Sequence, residues 1–271
     1  MIRVTMATEP ASPDHPNEDF VGATANGVVL LDGAGAAGLD TGCIHGVAWY
    51  ANQLGSQILG RLPGSREGLV DILADSIRAT ASMHNVTCDL THPGTPSATV
   101  TIIRLTNDHL DYLVLADSTL VLVDADDAKC VVSDDREAQV GRLLRSRHIM
   151  SPFGTPAHVQ ELRRYIEDLR THRNQPGGFW VAAAEPAAAY EAFTASATGV
   201  RSAFLLSDGA ARLVDRFQLL SWDDVVGILR LQGPEELVRR LRLAEASDPD
   251  GARWPRAKIN DDASIAIIEH P

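Results

Sequence analysis

The sequence predicts a layered α+β protein in which antiparallel sheets are covered on the outside by helices. Two amphipathic helical stretches separate the first strands from a run rich in Val, Ile and Thr between Ala98 and Ser133, and further helices precede a closing strand. Strand and helix do not alternate regularly, which argues against a doubly wound parallel sheet. Hydrophobic residues make up 45% and charged residues 22% of the 271, the composition of a soluble globular chain long enough to bury a full core.

In order along the chain, Val4 to Ala7 and Phe20 to Ala25 are expected as short strands around a loop carrying Pro10, Pro13 and Pro16. Val28 to Asp32 is a stronger strand because its side chains are almost all apolar, and Gly33-Ala34-Gly35 lets the backbone turn tightly after it. A helix over 41–62 places Ile44, Val47, Ala48, Leu54, Ile58 and Leu59 on one stripe. A second over 69–86 does the same with Leu69, Ile72, Leu73 and Ile77. A β meander is expected over 98–105, 111–116, 120–124 and 129–133, turning at Asn107-Asp108-His109 and at Asp126-Asp127. Helices over 137–149 and 159–170 lead to the loop Gln175-Pro176-Gly177-Gly178. Phe179 to Ala183 has strand character, and 187–196 suits helix and strand equally. A buried strand over 202–207, helices over 222–231 and 234–246 and a strand over 264–268 complete the chain, with Asp248 to Pro255 as a surface loop.

The net charge of −12 (24 basic against 36 acidic residues) argues against a nucleic-acid partner, which needs clustered Lys and Arg. Arg142, Arg145 and Arg147, and later Arg163, Arg164, Arg170 and Arg173, read as solvated helix faces. The three cysteines, Cys43, Cys88 and Cys130, are scattered, so reduced thiols in a cytoplasmic protein are expected, and no cysteine-based metal site. Residues 1–8 lack the apolar segment of a leader, and no stretch approaches the roughly 18 apolar residues of a membrane span, so no membrane partner is expected.

Four acidic motifs stand where apolar strands run into turns: Asn17-Glu18-Asp19, Asp32-Gly33-Ala34-Gly35, Ser207-Asp208-Gly209 and Asn260-Asp261-Asp262. A carboxylate at the end of a buried strand is costly unless positive charge is close. Several of them converging describe a cage for hard divalent cations, which prefer oxygen ligands. The competing reading is structural: Asp32 and Asp208 as caps of following helices, and Asp261 as a turn residue. Asp262 either adds a ligand or points to solvent.

Asn17-Glu18-Asp19 followed by Leu30-Leu31-Asp32-Gly33-Ala34-Gly35 resembles the opening of the metal-dependent PPM-type (type 2C) protein Ser/Thr phosphatases, as a divergent bacterial-like member. Pro96-Ser97-Ala98-Thr99-Val100 resembles that family's small-residue strand entry. Leu115-Ala116-Asp117-Ser118 resembles its Gly-Asp-Ser turn with Ala116 in place of glycine. Phe204-Leu205-Leu206-Ser207-Asp208-Gly209 resembles its late Ser-Asp-Gly motif, and Asp261-Asp262-Ala263-Ser264-Ile265 its terminal Asp-Asn motif with Asp262 at the asparagine. The resemblance spans nearly the whole chain. It implies one domain over 1–271, a four-layer α-β-β-α sandwich, with a variable flap-like segment around 150–182. It also implies two Mn²⁺ or Mg²⁺ ions, with a third in many bacterial members. Asp32 would bridge the two metals, Gly33 would offer its carbonyl, Asp208 and Asp261 would hold one ion and Glu18 would reach the other. Asp117 would serve the additional ion. Asp32 and Asp208 would then be catalytic through water whose pKa the metals lower for in-line attack on phosphorus.

Two departures bear on substrate. Asp14 stands where protein phosphatases of this type carry an arginine that grips phosphate, and a carboxylate repels a phosphate dianion. His15, or Arg173 or Arg170 from the 170–180 loop, is the replacement the sequence offers, with Arg136 a weaker one. Ala34 stands where some members carry a histidine acid. His45, expected on the first turn of the helix over 41–62, either faces the metals or packs against a sheet. The reading is a phosphoserine/phosphothreonine phosphatase acting on a phosphoprotein. The alternatives are a phosphatase for a small phosphorylated metabolite and a catalytically silent regulatory module.

Overall fold

The computed structural model describes residues 3–34, 38–106, 109–145, 151 and 155–269. The strands are β1 (Arg3–Glu9), β2 (Phe20–Ala23), β3 (Gly27–Leu31), β4 (Val100–Leu105), β5 (Leu110–Leu115), β6 (Thr119–Asp124), β7 (Lys129–Val132), β8 (Phe193–Ala197), β9 (Val200–Leu206) and β10 (Ala263–Glu269). They form two five-stranded antiparallel sheets, ordered β1-β10-β9-β6-β7 and β2-β3-β4-β5-β8. Helices α1 (Val47–Arg61) and α2 (Leu69–His84) cover the second sheet; α5 (Asp208–Asp215), α6 (Trp222–Gln232) and α7 (Pro234–Ala246) cover the first. Helices α3 (Arg136–Arg145) and α4 (Pro156–Arg170) pack on each other around a smaller apolar cluster with Ala116, Phe179 and Val181.

The apolar strands follow from these four layers. In β3, Val29 and Leu31 point into the core beneath α1 and α2, whereas Val28 and Leu30 point into the core between the sheets. In β9, Phe204 and Leu206 meet the α5–α7 layer while Ala203 and Leu205 face the inter-sheet core. Val28–Leu31 and Ala203–Leu206 are apolar on both faces because both faces are covered, which is worth about 1.5–3 kcal/mol for each fully buried large side chain.

The expected meander is divided. β4 and β5 pair with each other, as do β6 and β7, but β5 and β6 belong to different sheets. The chain crosses between sheets at Ala116–Ser118, inside the Asp117 motif, and two runs of the same strand propensity carry no mark of that crossing. The helix expected over 41–62 begins only at Val47; Gly42 and Gly46 adopt φ of 66° and 80°, and His45 therefore lies in a loop. Phe179 to Ala183 makes isolated bridges, at Phe179 and Ala182, and no strand. The ambiguous 187–196 resolves into a 3-10 helix, Pro186–Glu191, and then β8. Asn107, Asp108 and the expected helical residues 146–149 lie outside the described residues. The 248–255 loop is anchored by buried Asp248, which accepts the amides of Arg253 and Trp254 and pairs with buried Arg256.

Candidate metal centre

The acidic motifs meet where strands of both sheets end. Asp32 follows β3, and its backbone is held by one residue of β4's entry: Thr99 N–H donates to Asp32 O (2.8 Å), and Asp32 N–H donates to Thr99 Oγ1 (3.1 Å). Thr99 Oγ1 also shares a hydrogen bond of 2.6 Å with Ser118 Oγ, which ties the Asp117 turn to the same point. Across the sandwich, Asp208 N–H donates to Asp32 Oδ2 at 3.1 Å. Ser207 does not cap α5 with its side chain, because its hydroxyl accepts the Ser264 amide of β10. Asp32 caps no helix either, since α1 starts at Val47 with Gly46 as its N-cap residue.

Two glycines permit this convergence by absence of a side chain. A Cβ on Gly33 would lie 2.5 Å from Glu18 O, and one on Gly209 would lie 2.0 Å from Asp262 O. The Asp-Gly pairs are therefore places where backbone segments carrying the other acidic motifs press close. At the Asp117 turn, the position the family fills with glycine has φ of 68°, adopted here by Ala116 at the cost that an L side chain meets in that region.

The carboxylates are short of positive partners. Burial, then Asp19, Asp208 and Asp261, push the Asp32 carboxyl well above the usual carboxylate range. Burial above all, with Asp262 and Asp208 adding to it, raises Asp19 to about 7. Asp19 is 6% exposed, and both its oxygens lack a hydrogen-bond partner. The hydroxyls of Ser264 and Ser207 pull the Asp19 carboxyl back down without reversing the effect of its burial. Burial raises Glu18 against the pull of Lys258, and burial, Glu137 and Asp208 raise Asp117. Orphaned buried carboxylate oxygens and an all-oxygen donor set fit hard divalent cations. Asp19, Asp32, Asp208 and the Gly33 carbonyl are the best suited, with Glu18 and Asp117 at the margins.

Asp261 differs from these. It pairs with Lys258 Nζ at 2.7 Å and with Arg212, and Arg212 in turn pairs with buried Glu245. Glu245 also receives Arg242, whose Nη1 donates to the Asp261 carbonyl at 2.9 Å. Lys258 is held in its charged form by Asp261, Asp32 and Asp208, which together outweigh its burial. Asp262, expected as ligand or solvent-facing, does not face solvent. It is buried and accepts the amides of Ala11 and Glu18, both at 2.7 Å, which pins the loop that carries Glu18 and Asp19.

Of the residues expected to touch phosphate, the arginines are engaged within the chain and His15 lies at the surface. Arg173 is partly buried, with Nη1 donating to Thr95 O (2.8 Å) and Ser97 Oγ (3.1 Å), and burial lowers its pKa to about 10. Arg170 donates to Asp40 O, and Arg136 binds Asp134 and Glu191. Asp14 and His15 are exposed on the loop before Glu18. Among the expected solvated arginines, Arg142, Arg163 and Arg164 are exposed, whereas Arg170 and Arg173 turn inward.

Sequence reasoning missed three things here. Asp19 was overshadowed by Glu18, although its place directly before β2 marked it as the residue entering the core. Arg212 and Lys258 carried no signal before tertiary contacts brought them to Asp261. The expectation that the cysteine spacing cannot build a metal site does not hold: Cys43, His45, His84 and Cys88 come together, with donor atoms all within 4.8 Å of one another. A separation of 45 positions between Cys43 and Cys88 hid that meeting.

No protein-family model and no curated protein matches the chain. Solved structures do. The Mycobacterium tuberculosis serine/threonine phosphatase PstP/Ppp superposes with a TM-score of 0.60 at 17% identity, covering 99% of this chain and 98% of that one. Stp1 from Staphylococcus aureus gives 0.56 at 12% identity, over 100% and 96%. The PPM Ser-Thr phosphatase MsPP from Mycobacterium smegmatis, in complex with cacodylate, gives 0.56 at 17%, over 99% and 98%. The PstP catalytic domain in complex with two manganese ions gives 0.59 at 17%, over 99% and 97%. With two antiparallel sheets between helical layers and end-to-end superposition on these structures, the chain has the fold of the PPM-type serine/threonine phosphatases.

Proposed function

We propose that the protein is a metal-dependent phosphomonoester hydrolase acting on phosphoserine or phosphothreonine, built as one domain with 150–182 as its flap and working in the cytoplasm. The observation that carries this reading is the convergence of Asp19, Asp32, Asp208 and Asp261, with both oxygens of buried Asp19 unpartnered. A second support is that PstP, of the same fold, takes two manganese ions.

In this reading Asp19, Asp32, the Gly33 carbonyl and Asp208 would hold the first pair of Mn²⁺ or Mg²⁺ ions together with Asp261 and Glu18, and Asp117 would hold a third. Bound there, two hard cations supply Lewis acidity toward the phosphoryl oxygens and a water acidic enough to attack phosphorus. The chain's own part is positional. Thr99 fixes the Asp32 backbone from both sides, Asp262 fixes the Glu18 amide, and the two glycines set the approach of the strands. Lys258, about half exposed beside Asp261, brings a positive charge that Asp14 does not. No helix among the described residues is long and apolar enough to cross a membrane.

The test is hydrolysis of para-nitrophenyl phosphate and of a phosphothreonine peptide with Mn²⁺, Mg²⁺ and EDTA, beside Asp208→Ala. Metal-dependent turnover of both, lost in the variant, supports the reading; unchanged turnover in Asp208→Ala sinks it. Turnover of the aryl ester alone moves the substrate to a small phosphorylated metabolite.

One observation favours a second reading, a silent regulatory module. Lys258 and Arg212 already neutralise Asp261. Under that reading, Mn²⁺ titrated into the wild type binds weakly, and Lys258→Ala binds it more tightly.

A further inference from the structure

A cluster away from the acidic motifs has the composition and spacing of a different kind of site. Cys43 and His45 lie in the loop before α1. His84 is the last residue of α2, and Cys88 follows four residues later. Cys43 Sγ is 3.7 Å from His45 Nδ1, 3.5 Å from His84 Nδ1 and 3.1 Å from Cys88 Sγ, and His45 Nδ1 is 3.3 Å from Cys88 Sγ. Zn–S bonds of about 2.3 Å and Zn–N bonds of about 2.0–2.1 Å put the ligand atoms of a tetrahedron about 3.3–3.8 Å apart. Three of these four distances match the edges of that tetrahedron, the two sulfurs lie slightly closer, and all the donors stay within 4.8 Å of one another.

The local chain builds this arrangement on purpose-shaped backbone. Gly42 and Gly46, both with positive φ, bracket Cys43-Ile44-His45 and fold the two ligands to one side, while Ile44 between them is exposed. Cys88 N–H donates to His84 O at 2.9 Å, so the turn after α2 returns the thiol to the imidazole four residues earlier. Asp89 N–H donates to Gly42 O at 2.8 Å, joining the two ligand segments through their backbones. Trp49 stacks on His45 (4.3 Å between centroids, 26° between planes) and leans on His84 at 4.9 Å. The indole orients both rings and shields the cluster, the part that surrounding side chains play in holding metal ligands. His84 is buried and the other three are partly buried.

We propose that Cys43, His45, His84 and Cys88 form a structural Zn²⁺ site, with both histidines coordinating through Nδ1. Two thiolates and two imidazoles at tetrahedral spacing select zinc over the hard cations that suit the carboxylates. Four protein ligands fill the coordination sphere, so this ion braces and does not catalyse. It clamps the 38–46 loop, which continues from the Asp32-Gly33 motif and receives Arg170 of α4 through Asp40 O, to the end of α2. A Cys43–Cys88 disulfide is the competing use of the same thiols, but it leaves both imidazole Nδ1 atoms without the partner that brought them there.

The experiment is elemental analysis of the full-length protein, purified without added zinc and dialysed against Mn²⁺, together with Co²⁺ replacement read by absorbance. The expected result is about one zinc per chain. Cobalt should show thiolate-to-metal charge transfer and the intense visible bands of tetrahedral geometry. Both should be lost in Cys88→Ser, retained in Asp32→Ala, and retained with a red-shifted cobalt spectrum in His45→Cys, which keeps four ligands if Cys88→Ser fails to fold. Zinc that survives Cys43→Ser/Cys88→Ser, or a zinc-free protein with three titratable thiols, overturns the proposal. So does a protein with a single free thiol, Cys130, because the other pair is then a disulfide.

Discussion

The oxygen-rich cluster around Asp32 and the sulfur–nitrogen cluster around Cys43 sit in one molecule and solve the same problem in opposite ways. The first gathers carboxylates from the ends of β3, β9 and the segments before β2 and β10, all of like charge, and burial drives the pKa values of Asp19, Asp32 and Asp261 up. The second gathers sulfur and nitrogen donors from one loop and one helix end, where they lie in weak hydrogen-bond contact with one another. The acidic cluster needs a cation to relieve its charge; the Cys/His cluster is comfortable without one and gains from a soft ion chiefly by cross-linking. Repulsion is the force to look for in one, preorganisation in the other.

The comparison breaks most visibly at the acidic side. Asp32→Ala or Asp208→Ala is expected to cut metal-dependent turnover about a thousandfold or more, because charge stabilisation worth several kcal/mol is lost. Steady-state kinetics on para-nitrophenyl phosphate measures it. On the other side, removing the ion from Cys43, His45, His84 and Cys88 with a soft chelator is expected to lower stability by up to roughly 4 kcal/mol, the loop-closure value for a cross-link between residues 43 and 88. Urea titration in excess Mn²⁺ checks it, and Mn²⁺ is expected to give no rescue.

Asp262→Ala tests what holds the acidic side in place. It strands the amides of Ala11 and Glu18, at about 1–3 kcal/mol each, while Asp262→Asn costs less. Mn²⁺ affinity measured by calorimetry is expected to fall with stability, since Glu18 moves with its loop.

A pH titration sharpens the contrast with a carboxylate that has its counter-charge. Burial pushes the Asp248 carboxyl up, but the amides of Arg253 and Trp254 and the Arg256 guanidinium outweigh it and hold it at about 2. A folded pKa below the unfolded one means that its stabilisation is present above about pH 4 and is lost as pH falls from there to about 2. Asp248→Asn is expected to flatten that stretch of the stability profile. Ala116→Gly is the smallest change. Relief of the left-handed conformation, at about 1–2 kcal/mol, is partly offset by the 0.5–1 kcal/mol that glycine costs in chain entropy, roughly, leaving a gain of under about 1.5 kcal/mol by thermal melting.

Much of the fold was legible because burial on both faces leaves a one-dimensional trace. The runs before Asp32 and Ser207 are apolar at every position, and α7 was expected over 234–246, the range it occupies. The crossing between sheets at Ala116–Ser118 was not legible, since β5 and β6 read alike whether they pair or part. The helix expected over 41–62 failed at its start because the apolar stripe includes Ile44, which is exposed, while the two positive-φ glycines that break the helix carry no hydrophobic signal.

The sequence by itself determined the layered α+β class and the acidic motifs, because hydrophobic periodicity and strand-end Asp-Gly pairs are local. Only the tertiary structure decided which charges answer which. It gave Asp261 to Arg212 and Lys258, gave Asp262 to two backbone amides, and turned Arg173 inward to Thr95 and Ser97. It also brought Cys43 and His45 to His84 and Cys88. Partners like these are separated by tens or hundreds of residues, and their energies depend on distance and burial in space, quantities that spacing along a chain does not encode.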